Sequence, residues 1–485
     1  MLLSKIFEID SNLNIENLMT DSREKSEKAM FFCIKGLIYD AHQFVDQAID
    51  NGAICIVHTS EILRKRPGII YIMVDDVLEV LNGVVEKFYD YATTKMKVFA
   101  ITGTSGKTTI AHWIKTVINE QINSGIIATD CIAYDTISYN SNCTTPDIVT
   151  MGKITKDMFD KKVRALAVEV SSHALETKRC DFIDVDVAIF TNLSNDHLDF
   201  HGSMDKYLDA KKKLFSNLKP SAMAIINKDD NYSDEIIDVC TGKYYTYGIE
   251  KDCDYRAINV DLNQDGATFD LLVHNRIYPI NTNTLGYFNI YNLLACIAAL
   301  HLNEIPLQYI IDKISNLQQV PGRMNKIICG QDFNVIVDLA HTPEGLEKVM
   351  TYARRITGIV NRLIVVIGAP GKKDKLKRSK LGQVCDKYCD LIILTTEDPR
   401  DENPADIASD ISKGIAKKNY IYVEERTLAI EQAINNANKG DTVLILGKGD
   451  EKYFNKGLGK EYYEGDDALS RSSINERLGE NENEN

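Results

Sequence analysis

A chain of 485 residues is too long for one hydrophobic core, so two to four domains are expected. Its 44% hydrophobic and 26% charged content is that of an ordinary globular protein, and a formal net charge of −14 excludes nucleic-acid binding that rests on surplus Lys and Arg. No apolar run approaches the roughly eighteen residues of a membrane span, and the opening MLLSKIFEIDSNLN is not expected to be a secretory signal. The 11 cysteines are scattered and odd in number, which fits reduced thiols in a cytoplasmic protein. Cys385 and Cys389 have no second Cys or His pair beside them, which argues against zinc there.

Residues 1–95 read as a small α/β domain. Strand-like runs at Met30–Ile34, Ile54–Val57 and Ile69–Val74 alternate with helical patterns at His42–Asp50 and Val77–Tyr91. A second domain, 96–320, opens with an apolar strand, a Gly-rich turn and a helix. Further buried strands are expected at Ala165–Val170, Val187–Thr191 and Met223–Asn227, which predicts a mostly parallel sheet. The stretch from Tyr244 to Ile280 alternates like antiparallel strands, and a helix from Asn289 to about His301 follows. A third domain, 321–475, shows strand runs at Asn334–Asp338, Leu363–Ile367, Leu391–Thr395 and Thr442–Leu446 with helices between them, a Rossmann-like, doubly wound pattern. The low-complexity tail 476–485 is expected to be disordered. The fold class is therefore α/β in three domains, with a central P-loop-type sheet.

Gly103, Thr104, Ser105, Gly106, Lys107, Thr108 and Thr109 follow the strand VFAIT and open a helix. Backbone N–H groups of such a turn converge on phosphate oxygens at a helix N-terminus. Lys107 is placed to bridge the β- and γ-phosphates of ATP, and the Thr108 hydroxyl to bind Mg²⁺. The strict Walker spacing fails, because Ile101 stands where its first Gly belongs. The turn indicates nucleotide phosphates without naming a reaction. Glu169 and His197 each sit where a buried strand gives way to a polar turn, so a carboxylate and an imidazole are available for Mg²⁺.

Taken together, ITGTSGKTT, TTPD (144–147), VEVSSHAL, TNLSNDHLDFHG, AKKKLF (210–215), GYFNIYN (286–292), PGRM (321–324), DLAHTPEGL (338–346) and GKGDE (447–451) resemble the Mur ligase family along nearly the whole chain. The segment TDSREKSEKAMFFCIKG looks like the uridine-nucleotide domain of the branch that adds the third peptide residue. The resemblance implies an ATP- and Mg²⁺-dependent amide ligase of peptidoglycan precursor synthesis. Such an enzyme acts in the cytoplasm as a monomer on a UDP-N-acetylmuramoyl dipeptide and an amino acid, by way of an acyl phosphate.

It also implies residue roles. Lys107, His197 and a carbamylated Lys211 would be catalytic, and Thr108, Glu169 and His197 would hold metal. Asn289 and Asn292 would approach adenine, Arg323 the phosphates and Asp338 the ribose. Thr20 and Ser22 would contact uridine, and Thr144, Thr145, Ser171 and Arg179 the muramoyl dipeptide. Arg378, Asp398, Arg400, Gly447 and Glu451 would take the amino acid. The family's Asp-Asn-Pro-Arg pattern for meso-diaminopimelate reads Glu397-Asp398-Pro399-Arg400 here. Arg400 suits a second carboxylate and Glu451 a distal ammonium.

Several positions depart from the family pattern. They are Asp398, Asp450 for His, Leu339 for Tyr, Asn325 for Glu, Cys143 for Asn, Thr177 for Gln, and the turn Gly368–Lys372. They leave open lysine or another amine as acceptor, or a different amide ligase on this scaffold. A nucleotide-binding protein without catalysis is the third class. The set Lys107, Glu169, His197 and Lys211 speaks against it.

Overall fold

The computed structural model describes residues 1–36, 39–141, 143–457 and 459–483. Three principal sheets organise them. The first is four-stranded and parallel, in the spatial order Asn17–Met19, Ala29–Phe32, Ala53–His58 and Ile70–Met73. Helix Val77–Phe88 shares an apolar core with one face of it. Asp76 caps that helix through the Leu78 and Glu79 amides, and Lys178 of the central unit pairs with the same Asp76 at 3.0 Å.

The second sheet has eleven strands. Lys97–Thr102 lies at its middle, between Val187–Phe190 and Ala165–Glu169, all parallel. These strands are buried almost throughout, as sheets covered by helices on both faces require. Helix Tyr287–His301 is apolar nearly all round and packs against the helix Lys107–Ile118.

The alternation from Tyr244 onward is antiparallel only in part. Lys243–Gly248 runs parallel to Met223–Asn227, and the turn to antiparallel pairing comes between Tyr255–Leu262 and Ala267–Val273. Strand polarity is set by the connection that feeds a strand, and helix Ser233–Val239 makes that connection a crossover. A hairpin, Cys131–Tyr134 with Ile137–Asn140, extends the other edge.

The third sheet is six-stranded, in the order Asn325–Lys326, Asn334–Asp338, Thr442–Leu446, Leu363–Ile367, Leu391–Leu394 and Tyr420–Tyr422. It is parallel except for the first pair. Thr342 caps helix Pro343–Thr357 with Pro343 opening its first turn. The tail expected to be disordered begins instead as helix. Asp466–Asn483 is helical, Ile474 is fully buried and Leu478 packs against the same core, while residues 484–485 lie outside the described residues. No helix among the described residues is long and apolar enough to cross a membrane.

Candidate active site

Three adjacent parallel strands end on one edge of the central sheet, so the turns at 103–109, 170–172 and 191–201 converge. Gly103 (φ 147°) and Gly106 (φ 91°) bend the first turn. A Cβ would fall 1.8 Å from Thr191 Oγ1 at the former and 2.4 Å from Asn292 Oδ1 at the latter, so only glycine fits. The loop is pinned from the third turn. Thr191 Oγ1 donates to Ser105 O (2.7 Å), Thr104 N to Asn192 O (2.8 Å) and Ser105 N to Asn192 Oδ1 (3.0 Å).

Lys107 Nζ donates to the Gly103 and Thr104 carbonyls, both at 2.9 Å, and forms no ion pair among the described residues. Burial pushes its ammonium down, against the pull of Glu169 and Asp196. Arg323 Nη2 donates to Thr108 Oγ1 at 3.2 Å, bringing the C-terminal unit onto the helix start, where Thr109 is buried.

Glu169 is fully buried and has no cationic side-chain partner within ion-pair distance among the described residues. Its two oxygens accept from Thr129 N (2.9 Å) and Thr129 Oγ1 (3.0 Å). A buried carboxylate without a countercharge suits a metal ion. Around it stand four of the residues expected to grip the dipeptide. Thr145 Oγ1 donates to Glu169 O (3.0 Å) and Ser171 Oγ (3.2 Å), Arg179 Nη1 donates to Thr145 O (3.3 Å), and Thr144 Oγ1 accepts from Thr129 (3.1 Å).

His197 adopts a left-handed backbone (φ 54°), and its ring lies 5.0 Å from that of His173 and 6.1 Å from that of Tyr207. Burial, with His173, Lys107 and Lys211 adding and Asp196 opposing, pushes the imidazole down to about 4, so it is a neutral ligand near neutral pH. Lys211 is 1% exposed. Its ammonium lies 4.5 Å from the Tyr207 ring centroid and makes no hydrogen bond or ion pair among the described residues. Burial, reinforced by Lys107, pulls it well below the usual lysine value. Tyr207 OH in turn lies 3.1 Å from Thr104 Oγ1, which ties this helix to the phosphate loop. The hydroxyl of Thr108, the carboxylate of Glu169 and the neutral imidazole of His197 form a donor set that fits Mg²⁺ beside phosphates.

Asn289 and Asn292 are buried and joined by a 2.9 Å hydrogen bond. Asp338 accepts from Met324 N and Ala340 N, each at 2.7 Å, and burial raises its carboxyl against the pull of Arg323. Thr20 and Ser22 follow the first strand of the N-terminal sheet, and the Ser22 hydroxyl donates to Gln47 Oε1 (2.7 Å).

The five expected acceptor residues divide. Arg378 is fully buried and shared among Glu402 (3.1 Å), Asp410 (3.1 Å) and the Pro370 carbonyl (3.1 Å). Arg400 donates to the Gly371 carbonyl (2.5 Å) and meets no carboxylate among the described residues. The charge of Asp398 is met by buried Lys448 at 2.8 Å, and Lys448 also reaches Glu451 at 2.7 Å. Gly447 lies against Glu397, whose buried carboxyl is raised to about 7 by burial and whose Oε2 has no hydrogen-bond partner among the described residues.

Sequence reasoning missed Thr129, Asn192, Tyr207, Lys448 and Glu397 as participants. Asn192 lies inside TNLSNDHLDFHG, Lys448 inside GKGDE and Glu397 at the head of Glu397–Arg400, while Tyr207 falls between two recognised motifs. Thr129 carries no sequence signal, because its role depends on which strand end faces it.

A family model described as the Mur ligase middle domain matches residues 101–300, and one described as the Mur ligase glutamate ligase domain matches 322–449. The chain is 37% identical over 447 residues to a UDP-N-acetylmuramoyl-L-alanyl-D-glutamate–2,6-diaminopimelate ligase of Clostridium acetobutylicum, covering 92% of each chain. It is 35% identical to an enzyme of the same description from Fusobacterium nucleatum, covering 98% of this chain and 97% of that one. A solved structure of a ligase so described superposes with a TM-score of 0.70 at 27% identity, covering 99% of both chains.

Proposed function

Because the chain belongs to the Mur ligase family, we propose that it joins meso-2,6-diaminopimelate to UDP-N-acetylmuramoyl-L-alanyl-D-glutamate at the expense of ATP, in the cytoplasm and as a monomer, during peptidoglycan precursor synthesis. One observation carries the reading. The charged groups around the phosphate loop, Lys107, Glu169 and Lys211, have no ion-pair partner of their own among the described residues. Residues 1–95 are assigned to the uridine end of the substrate, 96–320 to ATP and 321–475 to the amino acid.

The dipeptide carboxylate attacks the γ-phosphorus and ADP leaves, giving an acyl phosphate. The incoming amine then attacks the acyl carbon, loses a proton, and phosphate departs. Lys107 disperses the charge that develops on the γ-phosphate, and holding the two reactants in line supplies most of the acceleration. Mg²⁺ held by Thr108, Glu169 and His197 neutralises phosphate charge when bound. Burial shifts Lys211 toward the neutral amine, the form that would add CO₂ and lose a proton to give a carbamate anion where a bare ammonium would repel a cation. Asn289 and Asn292 are assigned to adenine, Asp338 to ribose, Arg323 to phosphate, Thr20 and Ser22 to uridine, and Thr144, Thr145, Ser171 and Arg179 to the dipeptide.

For the acceptor, Arg400 is the arginine left free of carboxylates, so it is assigned to the distal carboxylate of diaminopimelate, with Glu451 beside the distal ammonium. Supplying diaminopimelate, lysine and ornithine separately, with ATP and the UDP-muramoyl dipeptide, tests this. Phosphate release is expected with diaminopimelate. A strong preference for lysine overturns the Arg400 assignment, and no dipeptide-dependent release with any amine overturns the ligase reading.

A further inference from the structure

The turn that presents Thr129 to Glu169 continues into two side chains that the ligation chemistry does not use. Asp130 Oδ2 lies 2.7 Å from His112 Nε2, and Cys131 Sγ lies 3.9 Å from the same nitrogen. One donor atom from each of the three falls within 4.8 Å of the others. His112 stands four residues beyond Thr108 on the helix Lys107–Ile118, one turn further along the same face. All three side chains are half-buried, and among the described residues the thiol forms no disulfide and the buried second oxygen of Asp130 has no hydrogen-bond partner.

We propose that His112, Asp130 and Cys131 form a binding site for a borderline-soft divalent cation of the Zn²⁺ class, distinct from the Mg²⁺ of the reaction. The donor chemistry decides the class. The Cys131 thiolate favours Zn²⁺ or Co²⁺, whereas Mg²⁺ has little affinity for sulfur and demands near-octahedral geometry. The spacing agrees. Donors held about 2.0–2.3 Å from one tetrahedral ion sit roughly 3.3–3.8 Å apart. The His112–Asp130 contact therefore opens by less than about 1 Å and the His112–Cys131 distance barely changes. Three protein ligands leave the fourth tetrahedral position to water. The ion joins the helix that begins at the phosphate loop to the turn that orients Glu169, so it stiffens the wall of the nucleotide site without entering it. Without metal, His112 and Asp130 form a simple ion pair, which is the competing occupant of the same space.

The test uses the full chain, stripped with chelator, kept in excess Mg²⁺ and titrated with Co²⁺ alone. One equivalent is expected to bind, with a thiolate-to-cobalt charge-transfer band in the near ultraviolet. Cys131→Ser removes the band, His112→Gln weakens binding at least about tenfold, and Cys329→Ser, at a half-buried thiol of the C-terminal unit, changes neither. In unaltered protein, Zn²⁺ shields Cys131 from alkylation as read by peptide mass, which covers the case of a variant that fails to fold. Absence of the band, a band that survives Cys131→Ser, or alkylation unaffected by Zn²⁺ each overturns the proposal. No nucleotide or peptide substrate enters these measurements, so the outcome is independent of the ligase reading.

Discussion

Around the phosphate loop, Lys107, Lys211 and Glu169 meet, among the described residues, only carbonyls, hydroxyls, an amide and an aromatic ring. In the C-terminal unit Arg378, Arg426 and Lys448 are fully buried, more so than Lys107, yet each meets one or two carboxylates within 3.1 Å. Buried charge costs free energy unless it is paired. The first set therefore raises the free energy of the protein alone, a cost that bound substrate would relieve under the proposed function, while the second set is already neutralised within the protein. Arg400, which has no carboxylate partner among the described residues, belongs with the first set although it lies in the second region.

The contrast can be broken from either side. Lys107→Ala is expected to cut amino-acid-dependent ADP release at least about 100-fold with the melting temperature unchanged or raised. A marked loss of stability would move Lys107 into the structural set. Asp466→Ala strands fully buried Arg426 and is expected to cost about 3–5 kcal/mol in urea unfolding, with turnover per folded molecule retained. Arg400→Ala is expected to raise KM for diaminopimelate about 10–100-fold at unchanged stability, whereas Arg378→Ala lowers stability first.

Glu402 gives a pH test of the paired set. Arg378 and the Lys372 amide hold its carboxyl down to about 2, so its contribution is present above the unfolded carboxylate range, near pH 4.5, and is lost as pH falls toward 2. Glu402→Gln should flatten that part of the stability–pH curve. Asp398→Asn is expected to have the smallest effect, within about threefold in kcat/KM (~0.6 kcal/mol), because Lys448 keeps Glu451.

Much of this was legible in sequence where one stretch of chain decides the outcome. Val98–Ile101 and Val187–Phe190 read as buried strands because a sheet covered on both faces needs unbroken apolar runs. The phosphate turn was readable because all of it lies in one short stretch, Gly103 to Thr109. What stayed hidden depends on distant partners. Asp398 stands out in the sequence only as a departure from the family pattern, and Lys448, which neutralises it, lies 50 residues away. Arg378 and Arg400 looked equivalent until Glu402 and Asp410 appeared around only one of them. The terminal helix was obscured by polar low complexity, because Ile474 and Leu478 hold it to the core with few apolar residues.

The position of Lys97–Thr102 in mid-sheet also governs when the nucleotide site can exist during synthesis. Its neighbours are residues 165–169 on one side and 187–190 on the other. A ribosome releases the phosphate loop long before either, so the early chain exposes an apolar strand with both edges bare. The antiparallel strands from Tyr255 to Thr282, by contrast, pair with neighbours made moments before. Nascent chains halted before residue 165 should therefore lean on chaperones and bind no nucleotide, and those that include residue 190 mark the earliest point at which the loop has both supports.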